Sequence, residues 1–202
     1  MGSCPRETRR GRQYHRCVRR FTPGIMLFVF AVVPGFTSND PRFTPDNELI
    51  RPANYREWIF LSSGLSMSYG IQPHMADKPE FDNVFVEPSA YKAFLATGKW
   101  PDKTMFILEI RSAETHGSIN KSGYFQRDIV AIEAEVKDES RFKEKWAYVD
   151  FSPAGKLHDT AKPFAGDSAC NVCHAKNAAV ENTFVQFYPT LLEIAQAKHT
   201  LR

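Results

Sequence analysis

The chain has 202 residues, 43% hydrophobic and 24% charged, a globular composition with enough length to bury a core, which excludes a disordered or fibrous protein. The formal charge of +3 is unevenly placed: residues 1–38 hold seven arginines (Arg6, Arg9, Arg10, Arg12, Arg16, Arg19, Arg20) against Glu7, leaving 19 basic and 22 acidic side chains in the rest. With no basic cluster after Arg20 the mildly acidic body lacks the footprint of a duplex binder, so no nucleic-acid partner is expected.

The head, residues 1–38, reads as a signal peptide. Arg6 to Arg20 forms a positive n-region, and Ile25 to Val33 is an apolar run bounded by Pro23-Gly24 and Pro34-Gly35. That run is too short to cross a bilayer, which takes about 20 apolar residues. Small residues between Gly35 and Ser38 supply a cleavage region, though without an Ala-x-Ala. The body, residues 39–202, is expected to be one domain, periplasmic or secreted. The competing reading is an uncleaved segment that anchors it to the membrane.

Asn39 to Pro52 is rich in Pro, Asn and Asp and reads as an irregular lead-in. Pro52 to Trp58 is predicted as a short helix, with Pro52 in its first turn. Trp58 to Leu61 reads as a buried strand, and the polar stretch Ser62 to Pro79 as a long loop able to line a cavity. Asn83 to Val86 is a second strand, stopped by Glu87-Pro88. Pro88 opens a helix whose Tyr91, Phe94 and Leu95 share a face and which Gly98 closes.

Thr104 to Arg111 is a third strand. Its alternation puts Phe106, Leu108 and Ile110 on a wholly apolar face. Tyr124 to Lys137 is a long fourth strand, with Val130, Ile132, Ala134 and Val136 on one side. Phe125, Arg127, Ile129, Ala131, Glu133 and Glu135 lie on the other. Lys137 to Lys145 is a charged turn or short helix, Trp146 to Phe151 a fifth strand, and Pro153 to Gly166 a loop. Phe184, Phe187, Tyr188, Leu191, Leu192 and Ala195 recur with helical period, and Pro189 must kink that helix or start it anew. Strands come in runs and helices are segregated. The expected fold class is therefore α+β, an antiparallel five-stranded sheet with short helices and further helices at the C-terminal end.

The haem enters through Cys170-Asn171-Val172-Cys173-His174, a Cys-x-x-Cys-His sequence of the kind that attaches a c-type haem. On a helix, positions i, i+3 and i+4 share one face. Both thiols can then bond the porphyrin while the imidazole reaches the iron. Asp167 or Ser168 can cap the helix start. A zinc site would want a second ligand pair, which the chain does not offer, and a redox dithiol would not need His174. The expectation is one covalent haem c, bound by Cys170 and Cys173, with His174 as the proximal iron ligand. Cys4 and Cys17 lie in the head, so the body keeps no cysteine for a disulfide.

The same chain carries a family likeness. Tyr55-Arg56-Glu57-Trp58, Val86-Glu87-Pro88-Ser89-Ala90-Tyr91, Gly98-Lys99-Trp100-Pro101-Asp102-Lys103-Thr104, Gly123-Tyr124-Phe125, the haem motif and Phe187-Tyr188-Pro189 resemble the cytochrome P-460 family, which includes the β-sheet cytochromes c-prime. The resemblance spans about residues 45–195 and implies a secreted homodimer. Such a protein binds nitric oxide at a five-coordinate haem, or oxidises hydroxylamine or nitric oxide. In the hydroxylamine-oxidising members a strand lysine is bonded to the porphyrin. The matching position here is Leu108, and Lys103 lies on the opposite side of the strand. The likeness therefore points to the cytochrome c-prime beta branch. It also matches Glu133 to a carboxylate that moves protons during oxidation, although a solvated strand face explains Glu133 equally well.

Three functional readings follow. The first is a binding protein for nitric oxide or similar small gases, acting in scavenging, sensing or detoxification. The second is an oxidoreductase acting on nitric oxide or hydroxylamine. The third is a six-coordinate electron carrier serving a redox partner cytochrome. The 28 residues after His174 contain no methionine, which weighs against the carrier. Met67, Met75, Met105, His74, His116 and His158 lie upstream and His199 near the end. The expected distal pocket is apolar: Phe106, Leu108 and Ile110, with Phe81 and Phe85 beside them. Such a lid excludes water and offers bound dioxygen no hydrogen bond, which favours nitric oxide and carbon monoxide.

Overall fold

The computed structural model describes residues 39–68 and 78–202. The signal-peptide reading, Cys4, Cys17, His74 and Met75 lie outside the described residues. The fold is α+β. Strands β1 (Leu49–Ile50), β2 (Ile59–Leu65), β3 (Glu80–Val86), β4 (Met105–Glu114), β5 (Phe125–Lys137), β6 (Trp146–Asp150) and β7 (Thr160–Ala161) combine with helices α1 (Pro88–Thr97), α2 (Ala169–Asn177) and α3 (Pro189–Ala197). The five-stranded sheet runs β2-β3-β4-β5-β6 with every neighbour antiparallel, and β1 pairs with β7 in a small second sheet. Among the described residues no helix is long and apolar enough to cross a membrane.

Local chemistry sets the helices. Glu87 caps α1 by accepting from the backbone N–H groups of Ser89 and Ala90, both at 2.9 Å, and Pro88 fits the first turn. Gly98 ends α1 in the left-handed conformation (φ 71°), where a side chain would also meet Lys198 and Thr200. Pro189 starts α3 rather than kinking a longer helix, and a 3-10 turn at Val185–Phe187 precedes it.

The pleat divides the sheet into two differently used faces. On one, Val86 and Phe106 join α1, α3 and Trp100 in a core with Phe94, Val185, Tyr188 and Leu191. On the other, Met105, Ile107, Ile132, Ala134 and Val136 pack with Leu49, Tyr55, Trp58 and Phe151. Glu109 is buried on this second side, where Tyr55, Arg56 and Arg111 all donate to its carboxylate.

Three elements differ from the expected ones. β2 continues through Ser62-Ser63-Gly64, whose backbone pairs with Asp82, Asn83 and Val84. The polar side chains suggested a loop, but an antiparallel ladder is held by the backbone. The segment after Pro52 makes only a 3-10 turn, at Tyr55–Glu57. In β5, residues 125–130 are exposed, and only the second half lies under cover. Register shifts between Ile110 and Ala113 in β4 separate these two halves of the hairpin.

Candidate haem site

The first sheet face opens beside α2 into a cavity of about 350 Å³, within the range of cofactor pockets. Its walls come from both ends of the chain: Gly64 and Met67 near β2, Val84, Phe106, Leu108 and Glu133 from the sheet, Cys170, Cys173 and His174 from α2, and Phe184, Phe187 and Tyr188 from the segment leading into α3.

Helix α2 presents the motif as its spacing predicts. Ser168 is the N-cap, accepting from Asn171 N–H at 3.4 Å. The buried Asn171 side chain donates to the Ala165 carbonyl at 3.0 Å and ties the helix start to the preceding loop. Cys170, Cys173 and His174 then face the cavity together, with both thiols free. Burial, and next the nearby Glu133, push the Cys170 thiol up from its ordinary value.

The His174 ring is clamped between Tyr148 and Phe184, with ring centroids 4.2 and 4.3 Å away. Its Nδ1 lies 2.8 Å from the Asn182 carbonyl oxygen and 3.5 Å from Glu135 Oε1. An Nδ1–H donated to that carbonyl fixes the tautomer and leaves Nε2 unprotonated, the state an iron ligand needs. Burial opposes protonation of the ring, but Glu135 and the Asn182 carbonyl outweigh it and raise the His174 pKa.

The Asn182 carbonyl is itself held in place. Thr183 next to it is fully buried, accepts from Trp100 Nε1 at 2.8 Å and donates to the Val180 carbonyl at 2.8 Å. Lys137 spans from the Trp100 carbonyl, at 2.7 Å, to Glu181 Oε2, at 2.8 Å.

The opposite wall follows from strand register. Val84, Leu108, Glu133 and Asp150 stand in one row across β3 to β6, and Val86, Phe106, Glu135 and Tyr148 in the next. Phe106 and Leu108 line the cavity, whereas Ile110, one row further out, does not. Phe85 lies on the other face of the sheet, with its ring against Tyr55 and Phe60. Phe81 shares that face by the alternation of the strand. Neither phenylalanine reaches the cavity wall, because the pleat puts Asp82 and Val84 there instead.

The roof is therefore mixed rather than wholly apolar. Asp82 and Glu133 face the cavity, and among the described residues neither ion-pairs with a lysine or arginine. Burial, with the charge of Glu80, lifts the Asp82 pKa to about 6. Burial, then Asp150 and Asp82, raise that of Glu133. Asp82 can thus hold or release a proton near neutrality, the property a proton donor or acceptor needs, and Glu133 is biased toward its protonated form. Asp82, Glu135 and Tyr148 carry no motif that marks them in the sequence. Only the register brings them to the site.

Among the described residues, the other candidate donors fall away from the cavity, with one exception. Met105 is buried in the opposite core, and His116, His158 and His199 are exposed. Met67 alone among the described methionines reaches the cavity wall.

The donor set fits a haem. Two thiols free of any disulfide and an imidazole with its second nitrogen free converge on a mainly apolar cavity, and among the described residues no cluster of three or more His, Cys, Asp or Glu side chains could hold a bare metal ion. None of the curated proteins compared with the chain matches it. The family described as Cytochrome P460 matches residues 52–185, a span running from the 3-10 turn before β2 through the haem helix to Val185. The chain thus belongs to the Cytochrome P460 family and is a haem-binding cytochrome of the kind that acts on nitrogen compounds.

Proposed function

We propose that this chain is a mono-haem c-type cytochrome of the cytochrome c-prime beta kind, exported to the periplasm or secreted, that binds nitric oxide or a similarly small nitrogen oxide. Cys170 and Cys173 would hold the porphyrin through thioethers and His174 the iron. The haem supplies an iron that binds such molecules and exchanges electrons. The residues of the chain do the rest. Tyr148, Phe184 and the Asn182 carbonyl orient the imidazole, Phe106, Leu108 and Val84 keep water out, and Glu133 and Asp82 hold protons at the rim.

The observation that carries this reading is Leu108. It sits in the cavity wall, in register with Val84 and Glu133, where the hydroxylamine-oxidising relatives are expected to carry a porphyrin-bonded lysine. A leucine cannot form that bond. Export follows from the arginine-rich, apolar head. The exposed apolar side chains of the outer β4–β5 hairpin (Ile119, Tyr124, Phe125, Ile129 and Val130), spread over both sides of the pleat, support a homodimer through the hairpin.

The test is a haem-loaded preparation examined by pyridine haemochrome, nitric oxide titration and hydroxylamine turnover. The expected result is one thioether-bound haem per chain, high-spin iron that takes up nitric oxide, and no hydroxylamine oxidation. Hydroxylamine turnover at rates requiring catalysis would overturn it. Met67 favours one second reading, an electron carrier in which its thioether would supply a second protein ligand to the iron. A low-spin ferrous spectrum indifferent to carbon monoxide, lost in Met67→Ala, would establish that reading instead.

A further inference from the structure

Glu135 has no role in the reading above, yet it is the most enclosed carboxylate of the cavity. It is 9% exposed, and it faces Phe106 on β4 and Tyr148 on β6. The Tyr148 hydroxyl stands 3.3 Å from Glu135 Oε1 and 3.3 Å from the Asn182 carbonyl. The same two oxygens face the Nδ1–H of His174, at 3.5 and 2.8 Å. One N–H and one O–H thus share two acceptors, one neutral and one carboxylate.

Among the described residues, no lysine or arginine is free to neutralise it. Lys137, on the same strand, is engaged with Glu181, Glu139 and the Trp100 carbonyl. Among the described residues neither lysine nor arginine ion-pairs with Glu135. A carboxylate buried without a cation is costly, so the fold carries a liability here that hydrophobic packing would have avoided. Among the described residues, the cation-capable side chain paired with it is His174. A carboxylate behind a metal-bound imidazole raises the basicity of the ligand and fixes its ring.

We propose that Glu135, held by Tyr148, is a positioning residue on the proximal side that makes His174 a stronger donor to the haem iron and so favours the oxidised state. The proposal rests on His174 being the ligand of a covalently attached haem. Glu135 Oε1 lies 3.5 Å from His174 Nδ1, so its effect would travel through the imidazole. The Asn182 carbonyl sets the direction of the ring, and the carboxylate adds charge along the same N–H.

The experiment compares haem-loaded parent protein with Glu135→Gln, Glu135→Asp and Tyr148→Phe. It reads midpoint potential, the iron–histidine stretching band by resonance Raman, and haem attachment by pyridine haemochrome and mass. Glu135→Gln is expected to move the reduction equilibrium about tenfold toward the reduced form, about 59 mV for one electron. It should also lower the stretching frequency. Glu135→Asp restores part of the shift. Tyr148→Phe moves both readouts in the same direction by less, and it decides the matter if Glu135→Gln does not fold. Fully attached haem with unmoved potential and stretch in these variants overturns the proposal and leaves ligation by His174 standing. A parent that binds no haem through Cys170 and Cys173 overturns the ligation reading, and the proposal with it.

Discussion

Replacing Asp82 by Asn removes a carboxylate that the fold holds against its preference. Burial and Glu80 lift its pKa from 3.8 to about 6, so the folded protein binds this proton more tightly than the unfolded chain. The stability from that proton is fully present below pH 3.8 and is lost as pH rises through about 6. Two pH units at 1.36 kcal/mol each give about 3 kcal/mol as a ceiling. Asp82 is only partly buried at the cavity rim, and solvent screening reduces this to about 1.5 kcal/mol. Asp82→Asn should therefore be more stable than the parent at pH 7.5 by about that amount, which raises Tm by about 3–6 °C in a body of this size. The gap should close toward pH 4. Urea unfolding followed by far-UV circular dichroism at half-unit steps measures it. A difference independent of pH between 4 and 8, or a variant less stable at pH 7.5, refutes the reasoning. The second result would mean that Asp82 is stabilised as an anion, the first that its ionisation is not coupled to folding.

Leu108→Lys places an amine in the row beside Glu133, across a cross-strand spacing of about 5 Å. After peroxide treatment of haem-loaded protein, tryptic mass spectrometry should find this peptide bonded to porphyrin, and the absence of an adduct counts against the placement of Leu108. Thr183→Val leaves the buried Trp100 Nε1 without its acceptor and should cost about 1–3 kcal/mol in urea unfolding, with a change in the haem spectrum because Asn182 is its neighbour. Glu109→Gln breaks the buried cluster with Tyr55, Arg56 and Arg111 and should cost about 3 kcal/mol. Because Glu109 lies on the far face of the sheet, the haem spectrum and the nitric oxide affinity should stay as in the parent.

Helix α1 is legible because its signals are local: Pro88 at the first turn, an apolar face at Tyr91, Phe94 and Leu95, and Gly98 at the stop. The same holds for α2, where spacing alone puts Cys170, Cys173 and His174 on one side. The five strands are legible from their apolar runs, and the alternation in β4 correctly separates Phe106 and Leu108 from Met105 and Ile107. The acidic side of the site is not legible. Glu133 and Glu135 share an alternation with Arg127, and on sequence grounds all three suit a solvated face. Arg127 is exposed, while the two glutamates turn inward, because only the second half of β5 is covered by β6 and α2. Asp82 is hidden for a different reason: the apolar Phe81 and Phe85 occupy the opposite phase of β3, away from the cavity. An isolated strand does not reveal which of its faces meets the cavity, and that is decided by pairing with β4.

The irregular pairing between Ile110 and Ala113 acts as a joint in the long hairpin. On its inner side, Leu108 and Glu133 must keep their partners, since a slip of one residue would bring Ile107 and Ile132 to the haem and push carboxylates into an oily core. On its outer side the chain is uncovered, and the ladder there already tolerates an offset. Insertions, deletions or a new binding surface can therefore accumulate at the hairpin tip without altering the chemistry of the cavity, so the two halves of one strand pair are free to diverge at different rates.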